Sequence, residues 1–188
     1  EPVGANGPEI LRLSYRDLQR ETAKFGNALK ALGVGKGDIV TIYMGMVPEV
    51  AIAMLACARL GAVHSVVFGG FAANELAVRI NDCTPKAIIA ASCGLEPNRV
   101  VEYKPLLDGA IELADHKPDF TIILQREQKV CELGANDVDW YDFQKDAQPA
   151  DCVMVEGSHP AYILYTSGTT GAPKGVVRPT AGHLVALN

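Results

Sequence analysis

Residues 39–68 read IVTIYMGMVPEVAIAMLACARLGAVHSVVF, three segments separated by punctuation. IVTIYM is a β-branched run suited to a buried strand. Pro48 then stands where a helix's first turn tolerates proline, and PEVAIAMLACARL runs as a helix until Gly61 stops it. HSVVF is a second short apolar strand. Two near-continuously apolar strands joined through a helix predict a parallel pair covered on both faces.

The pattern extends in both directions. Upstream, Ser14 and Asp17 read as a helix cap, Leu18, Phe25, Leu29 and Leu32 fall on one helical face, and Gly33 ends it. Downstream, AANELAVRIND (72–82) is helical, KAIIAA (86–91) a strand, PLLDGAIELAD (105–115) a helix opened by Pro105, FTIIL (120–124) a strand and AYILYT (161–166) another. Between about residues 125 and 157 charge and turn residues predict a less regular stretch. No repeat or domain boundary interrupts the series. The expectation is an α/β domain, a mainly parallel sheet with helices on both faces.

Composition narrows the class. The chain has 188 residues, 48% of them hydrophobic, and its 22 acidic against 17 basic residues give no general field for nucleic acid. The longest apolar run, AIAMLACARLGAV, is interrupted by Arg59 and is too short to cross a bilayer. Cys57, Cys83, Cys93, Cys131 and Cys152 form no CxxC pair, and the four histidines no HExxH, so neither a disulfide framework nor a metal site is expected. Reduced, buried thiols of an intracellular protein are the expectation, cytoplasmic first and mitochondrial matrix second. The opening EPVGANGPE lacks an initiator Met and a signal pattern, and the closing AGHLVALN reads as the first turns of a helix. Both ends suggest a piece of a longer protein.

The chemistry concentrates in residues 162–177, YILYTSGTTGAPKGVV. An apolar strand runs into Ser, Thr and Gly, then Pro-Lys-Gly. Open α/β sheets bind ligands at the carboxyl ends of their strands. Glycines let backbone amides approach an anion, hydroxyls add donors, and Lys174 adds a mobile positive charge, a set that suits a polyphosphate. This is not a Walker A loop, because Pro173 stands between the last loop glycine and Lys174. Tyr165 two places before Ser167 rules out a GxSxG elbow. By composition alone the loop is either a connector or an anion cradle.

The whole string YTSGTTGAPKG resembles the phosphate-binding signature of the adenylate-forming superfamily: acyl-CoA synthetases, luciferases and peptide-synthetase adenylation domains. Residues 43–80, YMGMVPEVAIAMLACARLGAVHSVVFGGFAANELAVRI, are similar to the short-chain branch. Residues 91–111, ASCGLEPNRVVEYKPLLDGAI, are closer to propionyl-CoA synthetases. The resemblance covers nearly the whole chain and implies a partial N-terminal AMP-binding domain of a ligase that joins a short-chain carboxylic acid, propionate or acetate, to CoA at the expense of ATP. It implies that Thr166, Ser167, Gly168, Thr169, Thr170, Gly171 and Lys174 contact ATP phosphates, with Mg²⁺ accompanying ATP. It places Glu96, Pro97, Asn98 and Arg99 at the 3′-phosphate end of CoA. The family's adenine segment, ribose-binding Asp, acyl pocket and catalytic Lys would lie downstream of Asn188, so this chain by itself is expected to be inactive. Two positions depart from the family pattern: Gly45 stands where Pro is usual, and Pro179-Thr180-Ala181 where propionyl-CoA synthetases have Asp-Asn-Gly. The alternatives are an adenylation domain that loads a carrier protein, and a nucleotide-binding module without chemistry.

Overall fold

A computed structural model describes residues 12–166 and 173–187. Helix α1 (Tyr15–Ala31) opens on the expected cap. The Ser14 hydroxyl accepts from the Asp17 amide at 3.2 Å, and the Asp17 carboxylate accepts from the Ser14 amide at 3.1 Å. These reciprocal bonds satisfy two amides that the first turn leaves without helical partners. Phe25 and Leu29 of its apolar face are fully buried, and Leu18 and Leu32 pack partly against the core.

Strand β1 (Ile39–Met44), helix α2 (Pro48–Leu60) and strand β2 (Val63–Phe68) follow the expected bounds to within a residue, with Pro48 in the first turn and Gly61 as the left-handed cap. Helix α3 (Ala73–Cys83) and strand β3 (Ala87–Ala91) complete the next unit. Two four-residue strands, β4 (Cys93–Glu96) and β5 (Arg99–Glu102), then form an antiparallel hairpin that the sequence reading did not anticipate. Helix α4 (Tyr103–Leu113) begins two residues before Pro105. Proline is tolerated there because amides of the first turn have no intrahelical acceptor. Strand β6 (Phe120–Leu124) matches FTIIL.

The stretch expected to be irregular contains β7 (Asp137–Asp139) and the short helix α5 (Trp140–Phe143). Both are seated by burial. Trp140 stacks on Phe25 of α1 at a centroid distance of 3.9 Å. Asp137 accepts an ion pair from Lys104 of α4 at 3.0 Å, with both side chains at least 90% buried. Strand β8 (Pro160–Thr166), strand β9 (Lys174–Pro179) and helix α6 (Thr180–Ala186) end the described chain.

Among the described residues the main sheet has seven strands in the order β7-β6-β3-β1-β2-β8-β9. Every neighbouring pair is parallel except β8–β9. The chain steps from β1 outward to β2, then crosses back over β1 to reach β3. Crossovers of one hand taken in opposite directions put α2 and α3 on opposite faces. Accordingly α1 packs with α2, and α3 with α4. The α/β expectation holds, and the core lies between the two helical layers, where β3 is buried at all five positions. The cysteines are unpaired as expected, but only Cys57, Cys83 and Cys93 are buried. Cys131 is half-buried and Cys152 exposed, because both lie in the connections of the outer segment.

Candidate functional site at the carboxyl edge of the sheet

Strand β8 enters the sheet beside β2, with His64 opposite Tyr162 and Ser65 opposite Ile163, so it points the same way as the other parallel strands. Strand β9 returns antiparallel, bringing Lys174 opposite Thr166. Thr166 therefore ends a parallel strand at its carboxyl end, and Lys174 begins the strand beside it. Ser167, Gly168, Thr169, Thr170 and Gly171 lie outside the described residues. The two described ends, Thr166 and Lys174, are both exposed. A strand, rather than a helix, follows the loop. Any anion held here would be bound by the loop's own amides, hydroxyls and Lys174, without a helix N-terminus behind it.

The second candidate segment reaches the same edge by another route. Strand β3 runs parallel to β8, and after Ser92 the chain turns directly into the β4–β5 hairpin. Glu96 pairs with Arg99 in register, so Pro97 and Asn98 are the two-residue turn at the tip. Strands β1 and β2 stand between β3 and β8. Three strand spacings put the roots of the two candidate segments about 14 Å apart along one edge.

Arg99 Nε lies 2.7 Å from Glu96 Oε2, and both side chains are largely exposed. The hydrogen bond from Arg99 holds the Glu96 carboxyl below its usual range, and the same bond holds the Arg99 guanidinium above its own. Glu96 thus serves as the tether of Arg99. The signal was present in the sequence, as opposite charges flanking a Pro-Asn turn.

Two tyrosines that the sequence reading did not single out shape this edge. The Tyr43 hydroxyl, at the end of β1, donates to the Phe71 carbonyl at 2.8 Å and accepts from the Gly70 amide at 3.3 Å, which fixes the loop after β2. Burial pushes its hydroxyl up to about 12, so it remains a neutral donor. Tyr103, at the start of α4, sits with its ring centroid 5.4 Å from that of Tyr43 and supports the β4–β5 hairpin from below. Among the described residues no group of three or more His, Cys, Asp or Glu side chains could hold a metal ion. None of the described helices is long and apolar enough to cross a membrane.

A mainly parallel α/β sheet, with Thr166 and Lys174 flanking a Ser/Thr/Gly sequence at the carboxyl end of a strand, places the chain among open α/β domains whose ligands bind at that edge. Residues 6–187 match the AMP-binding enzyme family, and the chain belongs to it. It is 59% identical over 177 residues to an uncharacterised protein of Pseudomonas aeruginosa, covering 94% of this chain and 28% of that protein. It is 51% identical over 178 residues to the rat (Rattus norvegicus) acyl-CoA synthetase short-chain family member 3, mitochondrial, covering 94% of this chain and 26% of the relative. An acetyl-coenzyme A synthetase of Methylobacterium radiotolerans is 45% identical over 185 residues, which is 97% of this chain and 28% of that enzyme. The chain therefore spans about a quarter of the length of these relatives.

Proposed function

We propose that the protein to which this chain belongs is an AMP-forming short-chain acyl-CoA ligase acting on propionate or acetate. The observation that carries this reading is the β8–β9 hairpin. Its ends, Thr166 and Lys174, flank a Ser/Thr/Gly sequence at the carboxyl edge of a parallel sheet, in a chain belonging to the AMP-binding enzyme family. Relatives named for short-chain acyl-CoA and acetyl-CoA synthesis support the choice of acid.

In the first half-reaction a carboxylate oxygen attacks the α-phosphorus of ATP, forming acyl-adenylate and releasing pyrophosphate. Thr166, Ser167, Gly168, Thr169, Thr170, Gly171 and Lys174 would hold the β- and γ-phosphates and stabilise the charge that moves onto pyrophosphate. Mg²⁺ enters with ATP as part of that substrate. In the second half-reaction the CoA sulfur attacks the acyl carbonyl carbon and AMP leaves. Glu96, Pro97, Asn98 and Arg99 would hold the 3′-phosphate end of CoA, with Glu96 orienting the Arg99 fork.

The test is acid-dependent ATP–pyrophosphate exchange by the full-length protein, followed by addition of CoA. Exchange that increases with propionate or acetate, and thioester formed once CoA is present, are expected. Absence of exchange overturns the ligase. Exchange without thioester replaces CoA by a carrier protein as the acyl acceptor.

A further inference from the structure

Both stems of the 166–174 loop rest on one side chain of α3. The Tyr165 hydroxyl, two residues before Ser167, donates to Asp82 Oδ2 at 2.6 Å. Opposite Tyr165 in the ladder stands Gly175, directly after Lys174. A β-carbon at Gly175 would lie 3.2 Å from the same Asp82 oxygen and 3.3 Å from Tyr165 Cε1. A side chain at Gly175 would be in tight contact with both, so glycine lets β9 approach Asp82 without displacing a neighbour.

A second contact grips the Tyr165 ring. Arg79, one turn earlier on α3 and 8% exposed, has its guanidinium carbon 5.4 Å from the Tyr165 centroid and 4.8 Å from that of Phe71. Its Nη1 is held by the Glu75 carbonyl at 2.6 Å and the Glu75 carboxylate at 3.0 Å. Phe71 belongs to the loop after β2, the loop that Tyr43 anchors. The Arg79 side chain therefore sits between the root of the 166–174 loop and a neighbouring loop of the same sheet edge. Cation–π contacts of this kind are strengthened by the burial of the guanidinium.

We propose that Asp82 and Arg79 are positioning residues for the 166–174 loop. Asp82 fixes its two ends, Thr166 and Lys174, through Tyr165 and the approach of Gly175, and Arg79 sets the orientation of the Tyr165 ring. Their effect is transmitted through Tyr165 and the Gly175 approach to the backbone that carries Thr166 and Lys174. The inference rests on the proposed ATP-binding role of the loop.

The experiment compares full-length Tyr165→Phe, Asp82→Ala, Asp82→Asn and the double variant Tyr165→Phe/Asp82→Ala. MgATP affinity is measured by calorimetry and exchange kinetics by varying ATP and acid separately. A hydrogen bond to a charged group is worth enough to raise the Kd and KM for MgATP about tenfold when it is removed. That rise is expected in Tyr165→Phe and Asp82→Ala, with the KM for the acid unchanged. The double variant should be no worse than the worse single, because the two groups share one bond. Asp82→Asn, whose amide oxygen still accepts from the tyrosine, should recover most of the affinity. Folded variants with wild-type MgATP affinity overturn the proposal. So does a loss that falls equally on ATP and acid and tracks the fall in melting temperature. Wild-type protein that binds MgATP without acid-dependent exchange overturns the ligase reading alone, and the affinity comparison still decides the role of Asp82. Wild-type protein that binds no MgATP overturns both.

Discussion

A β-carbon on Gly94 would overlap the Tyr103 hydroxyl oxygen and its Cζ. The second residue of β4 is thus pressed against the start of α4, and the hairpin that carries Glu96 and Arg99 is seated on a buried tyrosine. Gly94→Ala must displace the Tyr103 ring, which is itself packed against Tyr43. Overpacking of this kind costs about 1–3 kcal/mol. Urea unfolding should show that loss. Tyr103→Leu should cost less on the Gly94→Ala background than on wild type, since it removes the obstacle. Additive losses would mean that the ring moves aside freely.

His64 provides a pH dependence whose sign follows from burial. It is 7% exposed and stacks with Tyr162 at 5.5 Å, and its Nδ1 has no hydrogen-bond partner among the described residues. Desolvation first, and the nearby His183 second, push its pKa down to about 4 from the ordinary 6.5. The unfolded chain therefore takes up a proton that the folded chain refuses. Its contribution to stability is full above pH 6.5 and is lost as pH falls from there to about 4, a change on the order of 3 kcal/mol. In His64→Leu this part of the pH dependence should vanish when urea midpoints are compared at pH 7 and pH 5. An unchanged slope would assign the effect to other groups.

The parts legible in the sequence are those where one physical signal dominates. Strands β1, β3 and β6 are short apolar runs that only burial on both faces explains, and α1 and α2 carry their own caps and stops. The β4–β5 hairpin was hidden because Arg99 and Glu102 of β5 are exposed and its pairing is local, which leaves no apolar alternation to read. Strand β9 is exposed at all six positions and is held by its ladder to β8 rather than by burial. The seating of Asp137 by Lys104 joins residues 33 positions apart, a distance that no short-range pattern spans. At the site, the types of group in residues 166–174 were readable. The contacts of Tyr165 with Asp82 and Arg79 were not, since they join β8 to a helix more than 80 positions earlier in the chain.

Arg99 is expected to affect only the second half-reaction. Its guanidinium is exposed at the hairpin tip and tethered through Nε to Glu96, well separated from the 166–174 loop by β1 and β2. In the full-length protein Arg99→Ala should raise the KM for CoA about ten- to a hundredfold, the value of one charge-assisted phosphate contact. Pyrophosphate exchange should remain nearly intact, because in the proposed reaction adenylation precedes CoA binding. Glu96→Gln should show a smaller rise by loosening the tether. Equal losses in both half-reactions would make Arg99 a structural residue of the hairpin.

Lys174 should act in the opposite half. The β-ladder fixes its backbone opposite Thr166 while its side chain stays exposed at the mouth of the loop. It is the one cation in residues 166–174. Its ammonium would neutralise phosphate charge that otherwise repels the incoming carboxylate, so Lys174→Ala should slow adenylation first. Losing a single charge-stabilising donor lowers rates by about 10²–10³. Lys174→Arg should recover little, because a planar guanidinium does not replace a compact ammonium. Thr169→Val or Thr170→Val should cost less, since backbone amides remain to hold the phosphates. Exchange rates measured against ATP concentration check the order Lys174→Ala below Thr169→Val. Wild-type rates in Lys174→Ala at every ATP concentration would return this lysine to the ordinary solvated surface.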